Sequence, residues 1–74
     1  MNIHITFTYL STTYHGFLSP VHGAGQKTWH LYVDKYYWGM LRLVKDKWVF
    51  DSNHKEGISE LADYFGQVVM AWEG

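Results

Sequence analysis

The stretch WHLYVDKYYWGML, residues 29–41, decides the fold, because it carries two tryptophans and three tyrosines in thirteen positions and must turn once on the way. Trp29, Leu31 and Val33 recur at every second position, the period of a strand with one hidden face. Beyond Asp34-Lys35, Tyr37, Gly39, Leu41 and Leu43 alternate with Tyr36, Trp38, Met40, Arg42 and Val44. A two-residue turn would set Trp38 and Met40 on the face of Trp29 and Leu31. A three-residue turn, or a bulge at that joint, would align Tyr37 and Leu41 with them instead. The next hairpin arbitrates. If Lys45-Asp46 turns the chain, Leu43 opposes Trp48 and Leu41 opposes Phe50, and Arg42 would be costly inside. The longer turn is therefore the reading, and it sends Trp38 and Met40 outward.

Working outward, NIHITFTYL at residues 2–10 alternates Ile3, Ile5, Phe7 and Tyr9 against His4, Thr6, Thr8 and Leu10. A turn at Ser11-Thr12 would set Tyr9 opposite Tyr14, Phe7 opposite Gly16, and His15 opposite Thr8. PVHGAGQK holds the only proline and reads with Ser19 as a loop over residues 19–27. Downstream the period changes. Ile58, Leu61, Ala62, Phe65, Val69 and Trp72 line one side of a helix beginning near Gly57 or Ser59. Gly66, beside Ala62, would let that helix lie close to the sheet.

The predicted architecture is α+β: one domain over residues 1–74, an antiparallel β-meander of about five strands with one C-terminal helix packed on one face. Ile5, Phe7, Trp29, Leu31, Leu41, Leu43, Trp48 and Phe50 should meet Leu61, Phe65 and Val69 in the core.

Composition narrows the function classes. The chain has 74 residues, no cysteine and a formal charge of −1. Disulfides and thiolate chemistry are excluded, and nucleic acid or anionic lipid is disfavoured as a partner. No apolar run approaches the ~20 residues of a membrane span, and the N-terminus lacks the pattern of a secretory leader. A cytoplasmic, membrane-independent protein is expected.

Motifs for chemistry are absent. The five histidines show no H-x-x-x-H spacing, and His4 and His15 fall about 13 Å apart in the expected register. HGAGQK lacks the spacing and the following helix of a phosphate loop. No catalytic residue, cofactor or metal site is expected.

Residues 28–72, a three-stranded meander followed by a helix, resemble in outline plant ethylene-response-type DNA-binding domains and integrase arm-binding domains. The resemblance implies DNA reading by the exposed sheet face, where only Arg42 supplies a certain cation. GFLSP, WHLYVDKYYWGML, KWVFD and ELADYFGQVV together resemble small bacterial β-sheet-plus-helix proteins grouped as a domain of unknown function. That resemblance implies a compact sheet-plus-helix fold and brings no activity.

One helix covers one face of a five-stranded sheet. The uncovered face would display Phe17, His30, Tyr32, Trp38, Met40 and Arg42. Aromatic residues, Met and Arg are enriched at interface cores. The expectation is a non-enzymatic protein-interaction module, self-associating through this face as a homo-oligomer or holding another protein. The rival expectation is a ligand-binding domain that stacks single-stranded nucleic acid or a sugar on Trp38 and Tyr32.

Overall fold

A computed structural model describes residues 2–21, 27–52 and 56–73. Five strands, β1 (Ile3–Tyr9), β2 (Thr12–Pro20), β3 (Thr28–Val33), β4 (Tyr36–Val44) and β5 (Lys47–Asp51), precede a 3₁₀ turn (Ile58–Leu61) and a helix, α1 (Ala62–Glu73). The strands form one antiparallel sheet in the order β1-β2-β3-β4-β5. The α+β meander with its C-terminal helix is thus as expected.

Three hairpins close through two-residue turns at Leu10-Ser11, Asp34-Lys35 and Lys45-Asp46, and all six residues have positive φ. This geometry matches the twist of the flanking strands, and glycine or asparagine normally supplies it. Here every position carries a side chain, at a cost of about 1 kcal/mol or more for each residue that tolerates it badly. Lys35, at φ 70, follows an aspartate. Lys35→Gly creates the favoured Asp-Gly pair and is expected to stabilise the fold by about 0.5–1 kcal/mol, net of the entropy that glycine brings to the unfolded chain. A urea titration at constant m-value checks it; an unchanged or lower midpoint would refute the strain.

The first turn lies one residue earlier than expected. Tyr9 opposes Thr12, Phe7 opposes Tyr14 and Thr6 opposes His15. The slip amounts to two positions in the pairing, so every side chain keeps its face. Strand β2 also runs to Pro20, with Ser19 opposite His30 and Pro20 opposite Trp29. The expected loop therefore loses its first two residues to the sheet, and its positions 22–26 lie outside the described residues.

The decisive joint resolves in a way the sequence pattern left half-read. The Asp34-Lys35 turn is the two-residue kind, with Val33 opposite Tyr36 and Tyr32 opposite Tyr37. The register then shifts, so that Leu31 opposes Gly39 and Trp29 opposes Leu41. Trp38 is the extra residue, a bulge inside β4 rather than at its start. Trp38 and Gly39 consequently both face the core side, and the strand resumes its period with Leu41 inward. Gly39 is required there. A Cβ would overlap the Asp51 carbonyl oxygen and lie 2.7 Å from Cζ of Phe50.

The core comprises the expected inward residues, now with Trp38. Leu18, Leu31, Leu41, Phe65 and Val69 are fully buried, and Leu43 and Leu61 are partly buried against them. The sheet curls. Trp38 of β4 packs its indole against Phe7, Tyr9 and Tyr14, at ring centroid distances of 5.7, 5.9 and 4.7 Å. Phe65 lies across the resulting trough, 5.2 Å from Phe7 and 5.1 Å from Phe50. Gly66 seats the helix directly on Trp48, because any Cβ there would overlap the indole. The buried stripe stops short of the helix end: Val69 is fully buried, whereas Trp72 is 48% exposed.

Candidate functional site

The uncovered sheet face is organised in cross-strand rows. His4, Phe17, Tyr32 and Tyr37 align across β1 to β4. The next row holds Ser19, His30, Met40 and Asp51. Adjacent strands lie about 4.8 Å apart, which brings neighbouring rings within contact. Phe17 stacks on Tyr32 at 5.3 Å with an interplanar angle of 26°. Tyr32 meets Tyr37 at 5.8 Å, and His30 meets Tyr37 edge-on at 5.1 Å. These contacts are aromatic pairs of the favourable offset and edge-to-face kinds.

Of the six residues expected on this face, five are there. Phe17, His30, Tyr32, Met40 and Arg42 are partly exposed on the outer side. Trp38 is not. It is 8% exposed and belongs to the core, because the bulge turns it inward with Gly39. Stacking of a base or sugar on Trp38 is therefore sterically closed. Tyr37, 52% exposed, stands where Trp38 was expected. Two signals pointed to it: a glycine next to a tryptophan inside a strand, and the demand for one extra residue between a two-residue turn and Leu41.

Electrostatics on the face are nearly neutral. Arg42 donates from Nη2 to Asp51 Oδ2 at 2.6 Å, diagonally across β4 and β5. Its Nε is shielded from water and has no partner among the described residues. The Tyr37 phenol is held above its ordinary value by burial, then by the neighbouring Tyr32 and Asp51. It therefore stays a neutral hydrogen-bond donor throughout the physiological pH range.

The described histidines do not converge. His15 pairs through Nδ1 with Thr6 Oγ1 at 3.0 Å, and His30 sits among the rings. In the observed register His15 lies two positions from His4 along the strands, not four. His22 and His54 lie outside the described residues. Among the described residues, no group of three or more histidines and carboxylates is placed to hold one metal ion. No helix among them is long and apolar enough to cross a membrane.

Comparison with protein-family models, with curated proteins and with solved structures finds no match to this chain.

Proposed function

We propose that the protein is a non-enzymatic interaction module of the cytoplasm, and that it self-associates through the outer sheet face centred on Tyr32 and Tyr37. One observation carries this reading: Phe17, Tyr32, His30 and Tyr37 touch one another in a continuous ring cluster that α1, on the opposite face, cannot cover. Clusters of this kind are unusual on monomer surfaces. A second copy is the occupant favoured by symmetry. A two-fold contact sets the same patch against itself, so the patch must not carry a strong charge of one sign. Here the guanidinium beside the rings is matched by Asp51. The same neutralisation weakens the case for nucleic acid, which needs unmatched cations.

Tyr32→Ser and Tyr37→Ser remove ring area from the centre of the patch and leave the core untouched. Each is expected to weaken self-association by at least ~2 kcal/mol, about thirtyfold, as interface hot spots do. Sedimentation equilibrium of the wild type and both variants reads this directly. A wild-type chain that remains monomeric at millimolar concentration refutes self-association.

A further inference from the structure

Strand β1 is one edge of the sheet, and its outer side pairs with no strand among the described residues. A two-residue turn closes on a hydrogen-bonded pair, here Tyr9 with Thr12. Alternation then directs the amides of Ile5 and Phe7 toward β2 and those of His4, Thr6 and Thr8 away from the sheet. Of these outward groups, only the Thr6 carbonyl has a partner among the described residues. It accepts a hydrogen bond from the Tyr64 hydroxyl at 2.6 Å. Edge strands are commonly guarded by charge, proline or a bulge. Ile3–Tyr9 contains no lysine, arginine, carboxylate or proline, whereas the opposite edge, β5, is short and bounded by Lys47 and Asp51.

Two clefts flank this edge. One, of about 360 Å³, lies between Phe7 with its threonine neighbours and Leu61 and Tyr64. The other, of about 200 Å³, lies between Tyr9 with its neighbours and Glu56, Glu60 and Leu61. They are centred two residues apart on β1, about 6.7 Å, which is the spacing of same-face side chains on an added strand. The first is apolar and aromatic. The second presents two carboxylate side chains and, among the described residues, no cation. Glu56 is held in place because its carbonyl accepts from the Tyr9 hydroxyl at 2.7 Å.

We propose that the β1 edge captures an extended peptide segment as a sixth strand. An apolar side chain fills the first cleft, and a lysine or arginine two residues away meets Glu56 and Glu60 in the second. Main-chain bonds supply affinity in this mode of recognition, and alternate side chains supply selectivity. A slender segment fits where a folded copy does not, because Leu61 and Tyr64 overhang the strand. Tyr64 holds the position of an incoming N–H at Thr6 and yields it on binding.

The test titrates the ¹⁵N-labelled protein with capped synthetic heptapeptides. One probe has the core Leu-Thr-Lys between threonines, a second has the order reversed, and a third carries Glu in place of Lys. Amide shifts centred on Thr6 and Thr8 are expected for one of the two lysine probes, with affinity at least tenfold weaker for the glutamate probe. Glu60→Lys, at an exposed position, leaves one cation beside the Glu56 carboxylate and should abolish that preference. Thr8→Pro removes an N–H that β2 does not use and should abolish binding. If that variant fails to fold, the loss of preference in Glu60→Lys decides, and a preference left intact overturns the proposal. The proposal is overturned if Thr6 and Thr8 stay unmoved at millimolar lysine probe. Equal affinity for the lysine and glutamate probes, or shifts centred on His30, Tyr32 and Tyr37, overturns it too.

Discussion

Trp38→Ser is expected to bring the protein to the edge of unfolding, with a loss of about 3–5 kcal/mol. The indole is 8% exposed and shares ring contacts with Phe7, Tyr9 and Tyr14, so its removal opens a void between β4 and the first hairpin. A domain of this length has a reserve of only about 4–11 kcal/mol. Tyr37→Ser, one residue away but facing outward, should cost under about 1 kcal/mol in the monomer. Urea unfolding followed by circular dichroism separates the two. A Trp38→Ser variant with the wild-type midpoint would mean that the extra residue of β4 lies in the turn and that Trp38 faces solvent.

Phe65→Ala should be as damaging, again about 3–5 kcal/mol, because Phe65 is fully buried between Phe7 and Phe50. The same reasoning applies to the whole helix. A chain shortened to residues 1–53 would expose Leu18, Leu31 and Leu41, and it is expected to show no cooperative thermal transition. A sharp melt from that shortened chain would make the helix an accessory to a self-sufficient sheet.

Most of the fold was legible because strand and helix periods are robust to small errors of position. The first hairpin shows why. Placing its turn at Ser11-Thr12 instead of Leu10-Ser11 changes every partner but no face, since the slip is even. The β3–β4 joint is harder because parity alone cannot locate an extra residue. Leu41, Leu43, Trp48 and Phe50 require one somewhere between Val33 and Leu41, and both the turn and the strand satisfy that requirement. Packing settles it. A bulge at Trp38 fills the trough with an indole, and Gly39 alone tolerates the approach of Asp51 and Phe50. Five of six outer-face residues survive because they lie beyond the bulge or on other strands, whereas Trp38 lies in it. Trp72 keeps the helical period yet is 48% exposed, because a periodic stripe records helix geometry and not which of its residues find cover.

The placement of Phe65 also bears on how the molecule comes apart. Every strand in this sheet pairs only with its neighbours in sequence. Such a ribbon, left alone, would peel from either end, one hairpin at a time. Phe65 touches a ring on the first strand and a ring on the last. Detaching β1 therefore strips a contact that also supports β5, and the reverse holds equally. Fraying at one terminus is felt at the other, although some forty residues of chain lie between Phe7 and Phe50. The bonded amides of the two outermost strands should consequently share a single opening free energy, and the ribbon opens as one unit.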